Sequence, residues 1–257
     1  MARQSPTLSV FSRKWLFTAS VCPSSQCNEE VILKNLPPAA RRFRLYFPFR
    51  NRVLNIAAGV SPQSFLRWDT PEAGREIVYY GSSIVHGSYA SRAGMGSANI
   101  LGRLLDRPVI NLGFSGEGKL EPGMAGLLGE LSPAAFLIDP LPNTDAALLE
   151  ERLEKFLREL CSARRNTPVV LITDIIRAWA RLYPAERAKF RAKRDTAERI
   201  VRKLAEAFPN LYFLDARRSM GGDDEGTVDG LHPNDLGSAR FARCLYRFLK
   251  RSVPDKG

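Results

Sequence analysis

The sequence predicts an α/β protein: a three-layer α/β/α domain built on a five-stranded parallel sheet, preceded by a small β-rich N-terminal segment. Two observations carry that expectation. From Glu76 onward, short apolar and often β-branched runs alternate with longer stretches whose apolar residues recur every three or four positions, as buried strands and amphipathic helices do. Before about residue 74 the apolar runs are short, are separated by Pro, Asn and Arg, and follow no helical period. A chain of 257 residues accommodates both units, taken as 1–74 and 75–257.

In the first unit, Val31-Ile32-Leu33, Arg44-Leu45-Tyr46-Phe47-Pro48 and Val53-Leu54-Asn55-Ile56 read as short strands of a partial β-sandwich. The first thirty or so residues show no clear period and are expected to be poorly ordered. In the second unit the expected strands are 77–80, 108–112, 134–138, 168–173 and 211–214. Between and after them come expected helices at 96–105, 121–131, 145–163, 184–208 and 234–250. The spacing of Leu148, Leu149, Leu153, Phe156, Leu157 and Leu160 places one apolar face on the third of these helices. The helix at 184–208 is dense in Arg and Lys and reads as a solvated face.

Composition narrows the classes of function. The formal net charge is +11, of which residues 1–74 hold ten Lys/Arg against four Asp/Glu, a net of +6 that leaves +5 for the rest. Such a spread permits loose attraction to polyanions, but no DNA- or RNA-binding motif accompanies it, so no specific nucleic-acid partner is expected. Four scattered cysteines do not make a disulfide framework in a chain of this length. Cys22 and Cys27 are near enough to pair in an oxidising compartment, and Cys161 and Cys244 fall in helical patterns as small buried hydrophobes. No apolar run is long enough for a membrane span, and no secretion signal is legible, which slightly favours the cytoplasm.

The chemistry-bearing residues cluster at the carboxyl ends of the expected strands, where open α/β sheets bind ligands. Asp229-Gly230-Leu231-His232-Pro233 holds one of only two histidines, with an aspartate three positions upstream in a loop before the last helix. There an imidazole can act as a general base, with Asp229 fixing its tautomer. Ile77-Val78-Tyr79-Tyr80-Gly81-Ser82-Ser83 is a strand that breaks at Gly and delivers two serines. Asn111-Leu112-Gly113-Phe114-Ser115-Gly116-Glu117-Gly118 offers backbone N–H groups free of Cβ obstruction, without the spacing of a dinucleotide fingerprint. Asp139-Pro140-Leu141-Pro142-Asn143-Thr144 presents an amide that can either donate to an oxyanion or cap the next helix. The other histidine, His86, has no acidic neighbour and is expected to line the substrate pocket or to pack locally.

Assembled in order, these pieces resemble the SGNH or GDSL family of serine hydrolases over roughly residues 75–249. The resemblance implies a flavodoxin-like fold, Ser83 as nucleophile, Gly116 as a backbone oxyanion donor beside that of Ser83, Asn143 as the side-chain donor, and Asp229 with His232 as the rest of a triad. Ser83 takes the third place of the family's Gly-Asp-Ser triplet, which leaves Ser82 as a turn residue. It implies no metal or organic cofactor. The chain looks most like a bacterial branch whose catalytic domain follows a β-sandwich, shortened here. Two departures stand out: Gly-Asp-Ser is Gly81-Ser82-Ser83, and Gly-x-Asn-Asp is Leu141-Pro142-Asn143-Thr144. Both bear on substrate preference more than on catalysis. The implied substrate is a small-molecule or oligosaccharide ester, first a carbohydrate acetyl ester, with short-chain acyl esters or thioesters as alternatives. A catalytically degenerate glycan- or partner-binding protein is the non-enzymatic alternative. Neither the acyl group nor the oligomeric state is legible.

Overall fold

The structure is a computed structural model that describes residues 6–12, 14–70, 73 and 76–253. The expected boundary between residues 74 and 75 lies outside the described residues. Two sheets are present. The first is antiparallel, with β1 (Thr7–Ser12) between β2 (Lys14–Ser20) and β3 (Phe43–Tyr46). The second is parallel and has five strands: β4 (Ile77–Gly81), β5 (Val109–Gly113), β6 (Ala135–Asp139), β7 (Val169–Ile172) and β8 (Leu211–Leu214), in the spatial order β5-β4-β6-β7-β8. That is the flavodoxin-like order, with its switch point between β4 and β6.

The helices are α1 (Ser83–His86), α2 (Ser97–Leu105), α3 (Met124–Gly129), α4 (Ala146–Ala163), α5 (Pro184–Leu204) and α6 (Asp235–Ser252). Period-2 alternation along the strands sorts them into two layers. Val78, Tyr80, Phe136, Ile138, Val169 and Leu171 face α3, α4 and α5, where Leu153, Phe156, Leu160 and Ile200 meet them. Ile77, Tyr79, Leu137, Val170 and Ile172 face α1, α2 and α6, through Ile84, Leu101, Phe241 and Leu245. Both faces of the sheet are therefore covered, and the five-residue runs of β4 and β6 are buried throughout. This burial is why their sequences are continuously apolar.

The N-terminal segment departs from expectation in detail. Its strands lie largely within the first twenty residues, where none was expected, while Val31–Leu33 and Val53–Ile56 are not strands. Pairing explains the difference. β1 and β2 form a hairpin in which Phe11 meets Trp15, and β3 closes on β1, whereas residues 47–70 run as irregular, mostly exposed chain. The antiparallel sheet is anchored through its central strand to the rest of the chain: buried Thr7 donates its hydroxyl to the Ala93 carbonyl at 2.7 Å. Cys22 and Cys27 lie exposed in the stretch after β2. Cys161 is buried and Cys244 half-buried in their helices. No helix of the described residues is long and apolar enough to cross a membrane.

Candidate active site

The site begins where β4 runs out. Gly81 ends the strand, and the buried Ser82 caps α1 by accepting from the Ile84 N–H at 3.2 Å. Ser83 is thus the first residue of a four-residue helix, and its side chain is left free of capping duty. The tight entry needs glycines from the neighbouring strand ends. A Cβ at Gly113 would collide with the His86 backbone, and one at Gly118, where φ is +73°, would collide with the Gly81 carbonyl.

The loop before α6 delivers the partner. It is closed by a bridge between Thr227 and Pro233, by Val228 N–H donating to the His232 carbonyl at 3.0 Å, and by Gly230 at φ +83°. Asn234 then caps α6 by accepting from the Gly237 N–H at 2.9 Å. In this loop Asp229 accepts from the N–H groups of Leu231 and His232 at 2.9 and 2.7 Å, and its other oxygen lies 2.7 Å from His232 Nδ1. Burial pushes the Asp229 carboxyl up, but the hydrogen bonds from His232 and Leu231 outweigh it and hold the carboxyl below its ordinary range. An ionised carboxylate only accepts, so the ring proton sits on Nδ1 and Nε2 carries the lone pair. Nε2 stands 2.9 Å from Ser83 Oγ, across 149 residues of sequence. Ser83, His232 and Asp229 are therefore connected in one relay able to take a proton from the serine.

The other two sequence-expected residues stand at adjacent strand ends. Gly116 is exposed at φ +82° in the loop after β5. Asn143 closes the short 3-10 turn Leu141–Asn143 after β6 and donates its side-chain amide to the Glu117 carbonyl at 2.6 Å, which ties the two loops together. An amide nitrogen carries two hydrogens, so one remains for a ligand. The capping alternative for Asn143 does not hold. The cap of α4 is Asp145, which accepts from the Leu148 N–H at 2.8 Å.

His86 packs locally. Its Nδ1 lies 2.9 Å from Ser88 Oγ and its Nε2 3.0 Å from the Phe49 carbonyl, so neither nitrogen is left for a substrate. Because a carbonyl only accepts, the proton is on Nε2, and the ring joins the N-terminal segment to the loop after Ser83.

Three features were missed by sequence reasoning. Tyr89 stacks on the His232 ring with centroids 4.2 Å apart and planes at 23°. Nothing in Gly87-Ser88-Tyr89 announced it. Arg50, from the N-terminal segment, donates to the Ser88 carbonyl at 3.1 Å and places its guanidinium 5.8 Å from the Tyr89 ring. Beneath the site lies a buried set of ionisable groups: Asp139, Asp174 and Lys193, with Tyr79 donating to Asp139 at 3.2 Å. Burial and the neighbouring Asp174 raise the Asp139 carboxyl from its ordinary 3.8 to about 8. A carboxyl-ended strand in the sequence could have flagged Asp139, whereas Lys193 was masked by the basic run around it. Among the described residues, no group of three or more His, Cys, Asp or Glu side chains is arranged to hold a metal ion.

The family model of GDSL-like lipases and acylhydrolases matches residues 74–250. The chain belongs to that family. It is accordingly an ester-hydrolysing enzyme with the SGNH-type α/β fold. Among solved structures, a GDSL-like lipase from Bacteroides ovatus is 30% identical, with a TM-score of 0.88 over 97% of this chain and 75% of its own. A salicylyl-acyltransferase from a tetracycline biosynthetic pathway is 18% identical, with a TM-score of 0.77 over 98% and 76% of the two chains. A family two carbohydrate esterase from Clostridium thermocellum, solved with cellohexaose, is 14% identical, with a TM-score of 0.66 over 98% and 90%. The last two likenesses are of fold. No curated protein matches the sequence.

Proposed function

We propose that this GDSL-family enzyme cleaves its ester through an acyl-enzyme on Ser83, and that the ester is a small acyl group, first of all acetyl, on a carbohydrate. The observation that carries the acyl-enzyme reading is the continuous relay from Ser83 Oγ through His232 to Asp229, at 2.9 and 2.7 Å. As Oγ attacks the ester carbonyl, His232 Nε2 takes its proton and Asp229 stabilises the imidazolium. The oxyanion is met by the backbone N–H groups of Ser83 and Gly116 and by the Asn143 amide, donors aimed where charge develops. The protonated imidazole then returns its proton to the leaving alcohol, and water repeats the sequence to release the acid.

The carbohydrate part rests on the company the fold keeps, which includes a carbohydrate esterase that also aligns across the N-terminal segment. The domain assignment proposed here keeps that segment, 1–74, as an appendage of the catalytic unit. Hydrolysis of 4-nitrophenyl acetate by wild type and Ser83→Ala tests the relay. Rates should differ by about four orders of magnitude or more, and equal rates would remove the nucleophile. A panel of acetylated sugars against acyl esters of graded length tests the substrate. Preference for long acyl chains over acetyl sugars would overturn the carbohydrate reading and leave the acyl-enzyme standing.

A further inference from the structure

Buried lysines are rare, and a buried ion pair seldom adds net stability over well-packed apolar residues. Lys193 is nonetheless buried on α5, a helix otherwise studded with exposed charge. Its ammonium makes three contacts. It pairs with the buried Asp174 just beyond β7, it donates to the Leu141 carbonyl at 2.8 Å, and it lies 5.0 Å from the Phe190 ring. The second Asp174 oxygen has no partner among the described residues, so the pair is not arranged to satisfy that carboxylate fully.

Leu141 opens the 3-10 turn that ends at Asn143. The local bonds that close this turn are long or neutral: Asn143 N–H to the Pro140 carbonyl at 3.1 Å, Thr144 N–H to the Leu141 carbonyl at 3.4 Å, and the Thr144 hydroxyl to the Pro140 and Leu141 carbonyls at 3.3 and 3.4 Å. The Leu141 carbonyl is thus gripped from the protein interior by a charged donor, the stronger class of hydrogen bond. On the other side of the turn, Asn143 is bound to Glu117.

We propose that Lys193 is a positioning residue for catalysis: anchored on Asp174, it fixes the Leu141–Asn143 turn and so sets where the Asn143 amide stands relative to the oxyanion. This rests on the oxyanion role of Asn143 proposed above. The other charged side chains of the helix are exposed or half-exposed, whereas Lys193 is buried against the carbonyl that opens the Leu141–Asn143 turn. Misplacing a donor by a fraction of its working distance weakens a bond made in the transition state, while substrate binding is left alone.

The test measures kcat and KM on 4-nitrophenyl acetate for wild type, Asn143→Ala, the neutral pair Lys193→Met with Asp174→Asn, and the three changes combined. The neutral pair should lower kcat about tenfold or more with KM held within about twofold. In the Asn143→Ala background the same pair should change kcat by less than about twofold, since the donor it positions is gone. A neutral pair at the wild-type kcat, or one that costs the same factor in both backgrounds, overturns the inference alone. Asn143→Ala at the wild-type rate overturns the oxyanion reading as well, so the two failures are distinct. Should the neutral pair not melt cooperatively, Lys193→Gln with Asp174→Asn is judged by the same criteria. If neither pair folds, Lys193 is a structural residue and the proposal falls.

Discussion

The two halves of this molecule use the same apolar residue types to opposite effect. In the parallel sheet Phe136 is 0% exposed, while in the N-terminal segment Phe65 is 86% exposed, Leu54 74% and Trp68 70%. Yet the loosely packed segment is not remote from the chemistry. Phe49 and Arg50 reach His86 and Ser88 just after Ser83, and Thr7 is sealed against Ala93 beyond them. Dense packing and closeness to the site are therefore separate properties here: the sheet supplies rigidity, and the segment supplies a few placed contacts.

The difference is sharpest in stability. Phe136→Ala should cost about 3–5 kcal/mol, because a fully buried ring between the sheet and its α3–α5 layer leaves a cavity. Phe65→Ala should stay within about 0.5 kcal/mol. Urea unfolding of both variants checks this, and a Phe65→Ala loss approaching that of Phe136→Ala would mean that residues 47–70 are packed in solution.

The same contrast governed what could be read from the sequence. The central strands β4, β6 and β7 were legible because burial on both faces forces an uninterrupted apolar run, and the half-buried edge strand β8 still fell on 211–214 as expected. α5 was expected to run to residue 208 and stops at Leu204, since apolar periodicity marks a face better than an end. In the N-terminal segment no such force acts. Thr7 and Ser9 are the buried positions of β1, so its inward face is polar and hid the strand. At the candidate site, Ser83, Asn143, Asp229 and His232 stood out because chemistry-bearing side chains coincide with turn residues at strand ends and before the last helix. Tyr89, Arg50 and Lys193 were not, because their meaning lies in contacts across 38 residues or more: 143 from Tyr89 to His232, 38 from Arg50 to Ser88, and 52 from Leu141 to Lys193.

A second comparison sets the buried carboxyl Asp139 against the exposed Asp229, both within reach of the same site. Asp139 is raised to about 8, chiefly by burial and then by Asp174, whereas Asp229 is lowered. Folding therefore takes up a proton at Asp139 between about pH 4 and 8, so wild-type stability falls as pH rises through that window. Asp139→Asn carries no proton to lose. Its stability relative to wild type should climb from pH 4 to pH 8 and then level off, as read from thermal melts at graded pH. A difference that is flat across the window would mean that Asp139 is ionised in the fold.

The smallest effect tests whether the N-terminal segment reaches into catalysis. Tyr89 covers one face of the His232 ring, and an aromatic stack of this kind is worth about 0.5–1.5 kcal/mol. Tyr89→Ala should lower kcat by about two- to tenfold through a less constrained imidazole, and Tyr89→Phe, which keeps the ring, should stay near wild type. Arg50→Ala removes the hydrogen bond to Ser88 and the cation beside Tyr89. It should lower kcat in the same sense but by less, about twofold or so, because a partly exposed cation–π contact is worth about 0.5–1 kcal/mol. Combined with Tyr89→Ala it should add little, since its action runs through that ring. An Arg50→Ala effect that persists undiminished without Tyr89 would place the segment's influence elsewhere, on the Ser88 backbone or the substrate itself. No effect at all would reduce the segment to a tether, and the contrast between the two halves would then extend from packing to function.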